Sequence, residues 1–176
     1  RDAFDAEADR AGLDGEGRGR ADDLQARQLA QRLPLPGREG EEAVDEARLA
    51  GDEVSAFARA NFLQSLGQIC WWHGDPQATV RYCQEALQIA PDEFSPISAQ
   101  AYISMVTPYL YWRELEKALQ YAERGLQIAQ TLHLKELLPS AYTALGNVLT
   151  RMGETARAET CLRQGMEIGQ QLGLAS

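Results

Sequence analysis

The stretch QEALQIA at Gln84–Ala90 decides the fold, because variants of it recur along the chain at a nearly constant spacing. Successive copies begin 39, 40, 39 and 40 residues apart. They read DAEADRA at Asp5–Ala11, VDEARLA at Val44–Ala50, QEALQIA at Gln84–Ala90, ERGLQIA at Glu123–Ala129 and RQGMEIG at Arg163–Gly169. A unit of this length buries its apolar face only by stacking on its neighbours. The sequence therefore predicts an array of helical units.

The composition fits such an array and argues against binding to nucleic acid. The chain has 176 residues, of which 44% are hydrophobic, which is enough for a continuous core if the units stack. Its formal net charge is −9, whereas phosphate binding needs a concentration of Lys and Arg. No apolar run reaches the length of a membrane span, and no basic-then-apolar leader opens the chain. We therefore expect a cytoplasmic protein without nucleic-acid or membrane partners.

Each unit is predicted to be two antiparallel helices joined by a tight turn. In the clearest unit, an apolar helical pattern stops at His73-Gly74-Asp75-Pro76 and resumes afterwards. Gly74 suits the left-handed residue that closes a helix, Asp75 suits the cap of the next helix, and Pro76 suits its first turn. Pro91 is expected to end the second helix.

The same signals divide the rest of the chain into units. Ser95 before Pro96 predicts a helix through about Trp112, and a partner helix is expected from about Leu115 to Leu132. Pro108 is predicted to kink the first of these helices. Together the signals predict the end of a truncated repeat at residues 1–11 and repeats at 12–50, 51–92, 93–132 and 133–176.

Specific positions in these units resemble the tetratricopeptide repeat family. Glycine occupies the eighth position in Leu66-Gly67 and Leu145-Gly146, Ala86 the twenty-seventh and Pro91 the thirty-second. The resemblance implies an all-α fold, a right-handed α-solenoid of about four helical hairpins plus a truncated N-terminal helix. The sequence departs from the family where Val106 takes the glycine place, and its period exceeds the usual length of about 34 residues.

Repeats stretched to about forty residues are also similar to the sensor arrays of bacterial multidomain regulators. The phrases LGQICWWHGD at Leu66–Asp75 and LGNVLTRMGE at Leu145–Glu154 carry this likeness. It extends to LuxR-type, maltotriose-responsive activators and related signalling ATPases. The chain contains no phosphate-binding loop motif and no basic helix-turn-helix, so the resemblance implies the sensing part of a larger regulator.

The resemblance further implies a ligand groove lined by the first helix of each unit, at its second, fifth, ninth and twelfth positions. These positions hold Asn61, Gln64, Gln68, Trp71, Gln100, Ile103, Thr107, Leu110, Ser140, Thr143, Asn147 and Thr150. The groove lacks the Lys and Arg placements with which chaperone-binding members hold a terminal carboxylate. Amides beside Trp71 suit a peptide backbone or a sugar, and the other interpretation is a solvated face without a ligand. Trp72 and Trp112 are expected to pack internally.

These features predict a non-enzymatic scaffold that binds a protein or peptide, with no cofactor and no metal. The alternative is a sensor of a sugar-like small molecule that controls a missing effector domain. Self-association through uncapped terminal repeats is a third possibility. Cys70, Cys83 and Cys161 have no metal-ligand or disulfide spacing, and we expect buried, reduced thiols.

Overall fold

The computed structural model describes residues 56–90 and 92–173, and all of its regular structure there is α-helical. The helices are α1 Ala56–Trp72, α2 Pro76–Ile89, α3 Pro96–Tyr111, α4 Leu115–Thr131, α5 Leu138–Met152 and α6 Thr155–Gln171. They pair as α1 with α2, α3 with α4 and α5 with α6, and each pair packs on the next. The predicted solenoid of helical hairpins is confirmed. The expected repeats at 1–11 and 12–50, and the stop at Pro91, fall outside the described residues.

Helix ends follow the chemistry that the sequence predicts. Gly74 adopts φ 79°, and the Asp75 carboxylate accepts a hydrogen bond from the Ala78 amide at 2.8 Å. The Ser95 hydroxyl oxygen accepts from the Ser98 amide at 3.1 Å, and Pro96 occupies the first turn of α3. Gly153 closes α5 with φ 83°. The Asp75 and Ser95 side chains thus accept hydrogen bonds from backbone amides that a helix end otherwise leaves without partners.

Two turns lack the glycine that usually marks them in a sequence. Arg113 has φ 61° after α3, and His133 has φ 54° after α4. After His133, the chain makes a further turn in which the Leu137 amide donates to the Leu134 carbonyl at 3.0 Å. This turn places α5 at Leu138, within the repeat that was predicted to begin at residue 133.

The two helices of a hairpin approach closely where a small residue faces a larger one. A Cβ on Gly67 would lie 2.8 Å from Cys83 Sγ, and a Cβ on Gly146 would lie 2.6 Å from Leu162 Cγ. In the middle hairpin the sizes are exchanged, because Val106 takes the glycine place and the fully buried Ala122 takes the place of Cys83 and Leu162. The larger Val106 is thus compensated by the smaller Ala122, so the combined side-chain volume at the helix crossing stays similar to that in the other two hairpins.

One core cluster runs through all three described hairpins. Met105 and Val106 of α3 and Val148 and Leu149 of α5 are almost completely buried within it. Pro108 is also buried, and α3 continues past it to Tyr111. The kink expected at Pro108 stays a prediction.

Within residues 56–90 and 92–173, no helix combines the length and apolar character needed to cross a membrane.

Candidate functional site

The first helices of the hairpins lie side by side and form one continuous face. Helix α1 contacts α3, and α3 contacts α5. Equivalent positions therefore repeat from one helix to the next along this face, which is where the sequence placed the groove.

A cleft of about 930 Å³ opens at the α1 end of this face. It is bounded by α1, by the start of α3 and by the turn between α4 and α5. Four of the predicted groove residues lie together in it, namely Asn61, Gln64, Gln68 and Gln100. The remaining lining residues are Phe57, Ser65, Pro96, Ile97, His133, Leu134, Lys135, Glu136 and Leu137. The site is thus amide-rich on α1 and α3, and the turn between α4 and α5 adds both charged and apolar side chains.

Ile103 is a predicted groove residue that the structure places in the core. Its side chain is 8% exposed and belongs to the core cluster. The Cγ1 atom lies 2.8 Å from the point where a Cβ on Gly125 would stand. Because α4 has no side chain at Gly125, Ile103 fills the crossing between the two helices and does not line the groove.

The other predicted residues lie outside the cleft. Trp71 and Leu110 are half-buried near the ends of α1 and α3, and Thr107 and Asn147 are exposed. The hydroxyls of the remaining three donate to carbonyls of their own chain segment, each at 2.8 Å. These three residues are Ser140, Thr143 and Thr150. Their hydroxyl protons are therefore already used.

Gln64 differs from the other polar residues of the cleft in its burial. Its side chain is only 5% exposed, and within the described part of the chain no atom accepts a hydrogen bond from Gln64 Nε2. Buried polar groups in folded proteins are nearly always satisfied, so an exception requires an explanation.

The expectation that Trp72 packs internally is wrong, whereas Trp112 does pack. Trp72 is 84% exposed at the end of α1. Trp112 is half-buried and meets the Tyr109 ring edge-on, with 5.4 Å between the ring centroids. Tyr111, which occupies the place of Trp72 in the next unit, is also exposed.

The cysteines do not form a reactive centre. Cys70 and Cys83 are buried, Cys161 is half-buried, and all three are free thiols. Burial, and to a lesser extent the neighbouring Cys70, raises the pKa of the Cys83 thiol to about 12. Since the thiolate is the nucleophile, this shift suppresses its reactivity. Across the described ranges, no three His, Cys, Asp or Glu side chains are grouped to hold a metal ion.

Sequence reasoning missed the wall of the cleft that the α4–α5 turn provides. Leu134 and Leu137 reach the cleft from a segment more than thirty residues after Gln100. The unusual length of the repeat was the available signal, because the extra residues must form a loop or turn between hairpins.

Comparison with known proteins agrees with this architecture. Residues 140–172, which span most of α5 and α6, match the family model of the tetratricopeptide repeat. The last hairpin matches a tetratricopeptide repeat. A crystal structure of MamA protein is similar with a TM-score of 0.51 and 20% sequence identity, over 77% of this chain and 67% of that chain. This likeness shows the fold alone. A search of curated proteins gave no match.

Proposed function

We propose that this chain is a non-enzymatic scaffold that binds a protein or peptide segment on the face formed by α1, α3 and α5. The observation that carries the proposal is the cleft on this face, where Asn61, Gln64, Gln68 and Gln100 meet. The tetratricopeptide repeat match at residues 140–172 supports the same function. A cytoplasmic location belongs to the proposal.

The chemistry of the cleft favours a neutral ligand segment. Its charged lining residues are the adjacent Lys135 and Glu136, whose charges are opposite. Amide side chains donate and accept hydrogen bonds without charge. A terminal carboxylate would meet both a cation and an anion here, so recognition of such a group is not part of the proposal.

Catalysis is disfavoured by the openness of the face and by the state of the cysteines. Electrostatic stabilisation of a transition state is strongest in a site closed to water. The cleft instead opens on the side of the array, and burial raises the pKa of the Cys83 thiol.

The context of this scaffold is proposed to be a larger bacterial signalling or transcription regulator, on the likeness to extended sensor arrays. A small-molecule sensor is the second candidate, because a volume of about 930 Å³ also suits a sugar-like compound. A sensor requires two shapes with different affinities for the ligand. Identical X-ray scattering profiles with and without every small molecule that binds would remove this candidate.

Self-association through the last hairpin forms a further part of the proposal. Helix α6 exposes Leu162 and Met166, whereas Ala122 and Leu126 at the equivalent places of α4 are buried, and α4 also packs against α5. A second copy would cover this end. Sedimentation of the wild type and of Met166→Lys at several concentrations tests it, and identical monomeric behaviour of both would remove it.

Affinity capture from the native cell extract tests the scaffold. The double variant Gln68→Ala, Gln100→Ala alters the cleft, and Gln84→Ala, Gln88→Ala makes the same chemical change on the exposed surface of α2. We expect the wild type and the α2 variant to retain the same protein and the cleft variant to lose it. Equal retention by all three folded proteins would contradict the proposal, as would the absence of any specific partner.

A further inference from the structure

Trp72 and Tyr111 are large aromatic side chains that the fold leaves in solvent. Trp72 is 84% exposed and Tyr111 is 70% exposed, and they are the last residues of α1 and α3. Within residues 56–90 and 92–173, neither ring takes part in an aromatic or cation–π contact. Tryptophan, tyrosine and arginine carry much of the binding energy at protein interfaces. Packing of the hairpins does not account for the two rings, and both are available to a partner.

The repeat places these two rings and one further side chain at equivalent points of the array. Trp72, Tyr111 and Arg151 lie 39 and 40 residues apart, which is the period of the sequence. The second residue after each has a positive φ, of 79°, 61° and 83° respectively. The amide of the third residue after each donates to a carbonyl five residues earlier, at 2.9 Å in every case. Because the first helices lie side by side and end in the same turn, these three residues form a row along one edge, which we call the turn edge.

Arg151 gives the turn edge a positively charged end. Its side chain is exposed, and so is that of Arg113, two residues after Tyr111. No carboxylate in the described part of the chain forms an ion pair with either guanidinium, whereas the glutamates of the same two turns each pair with a cation three residues further on. The unpaired charges at this end are therefore positive, which complements an acidic residue of a partner.

The spacing of the row selects among the regular conformations of a bound segment. Packed helices lie about 8–10 Å apart, which sets the distance from one place of the row to the next. A polyproline II helix presents the same face every ~9.3 Å, whereas a β-strand does so every ~6.7 Å and an α-helix every ~5.4 Å. A polyproline II segment therefore matches the row with one residue in three. Its backbone is fully solvated, so it needs no hydrogen-bonding groups from the rings.

We propose that the turn edge binds a proline-rich segment of a partner protein in the polyproline II conformation, with two prolines, three residues apart, against the rings of Trp72 and Tyr111. An acidic residue three places further on meets Arg151. Surfaces lined by aromatic rings are the usual platform for this conformation, whose rigid backbone loses little freedom on binding. The site lies outside the cleft, which none of these three residues lines. It is therefore a second binding surface, and it does not depend on peptide binding in the cleft.

Capped seven-residue peptides test this register, with six prolines and one glutamate at the first or the seventh place. Both are needed because the row does not fix the direction of the segment. Each peptide is titrated calorimetrically into the full chain. We expect one of them to bind, and Trp72→Ala and Tyr111→Ala each to weaken it at least tenfold. Phe57→Ala is the matched control, because Phe57 is an exposed ring near the opposite end of α1, in the cleft, and this change should leave the affinity unaltered.

Reversal of the charge at Arg151 supplies a second readout. Arg151→Glu should weaken the glutamate peptide at least fivefold and favour the same peptide with lysine in place of glutamate. Arg163→Glu makes the same change at an exposed arginine of α6 and should alter neither affinity. Equal effects of the two substitutions would assign the change to the net charge of the protein and would overturn the register.

The other outcomes also decide the proposal. Absence of binding by both proline peptides would overturn it, as would equal affinity for a glycine–serine peptide with the same glutamate. A peptide that Phe57→Ala loses and Trp72→Ala retains would lie in the cleft, which overturns this inference and supports the scaffold proposal. Circular dichroism should show an unchanged fold in Trp72→Ala and Tyr111→Ala, since both rings are exposed. Unfolding of either variant would make its ring structural and would likewise overturn the proposal.

Discussion

Gly67→Ala tests whether each hairpin is held by matched side-chain volumes where its helices cross. The new Cβ would lie 2.8 Å from Cys83 Sγ and 3.1 Å from the Thr79 carbonyl oxygen. Cys83 is fully buried, so its side chain has no solvent to swing into. Overpacking of a core costs about 1–3 kcal/mol, whereas replacing a glycine inside a helix by alanine contributes about 1 kcal/mol of stability. The difference leaves a net cost of about 0–2 kcal/mol, and we expect Gly67→Ala to lower the free energy of unfolding by about 1 kcal/mol.

A second substitution, Cys83→Ala, should rescue the first. Alone it leaves a small cavity at a cost of about 1 kcal/mol. Combined with Gly67→Ala, it gives the new methyl group room, as Ala122 does for Val106 in the middle hairpin. The contact with the Thr79 carbonyl remains, so the rescue is incomplete. We expect the double variant to be about 1 kcal/mol more stable than the sum of the single effects.

Urea unfolding followed by circular dichroism, on the wild type and the three variants under reducing conditions, measures this coupling. The sum of the single effects normally holds to within about 0.3–0.5 kcal/mol for independent sites. Additivity within that margin would refute the volume argument. So would a Gly67→Ala protein that is more stable than the wild type by the full helix-propensity gain, because the close contact would then cost nothing.

Three further predictions concern the helix cap, pH and thiol reactivity. Asp75→Ala removes the acceptor for the Ala78 amide and should cost about 1 kcal/mol in urea unfolding, with Asp75→Asn retaining most of the stability. Burial, as the largest cause, raises the pKa of Tyr109 to about 12, so the folded chain keeps a proton that the unfolded chain loses near pH 10. Stability should therefore hold below pH 10 and fall as the pH rises towards 12, less steeply in Tyr109→Phe, and equal slopes for the two proteins would contradict this. Iodoacetamide at pH 8 should modify the half-buried Cys161 before Cys70 and Cys83 in mass spectra of the folded chain, and faster modification of Cys83 would contradict its burial.

The sequence-based prediction succeeded for the hairpins because their limits depend on local chemistry. Gly74, Asp75 and Pro76 each act on the backbone within a few residues, through a positive φ or a hydrogen bond to a nearby amide. The turns at Arg113 and His133 were less visible, since non-glycine residues seldom adopt the left-handed conformation found there, and histidine, although enriched in it, is a much weaker signal than glycine.

The groove was predicted less well because burial on a stacked array depends on neighbouring helices. One repeat position holds Gln64, Ile103 and Thr143 in the three described hairpins, and the first two are buried while the third is exposed. Equivalence within the repeat assigned all three to one surface. Their burial differs because different side chains pack against each of the three helices. The repeat period alone does not predict these contacts.

The sequence by itself was sufficient to specify an array of helical hairpins, because a period of 39 or 40 residues and the residues at its turns constrain each unit locally. It also supplied the amide-rich character of the first helices. The three-dimensional packing determined which amides share a cleft, added the wall from Leu134–Leu137, and left Gln64 Nε2 without an acceptor in the described part of the chain. These properties depend on contacts between residues more than thirty positions apart, and such contacts exist only once the hairpins have stacked.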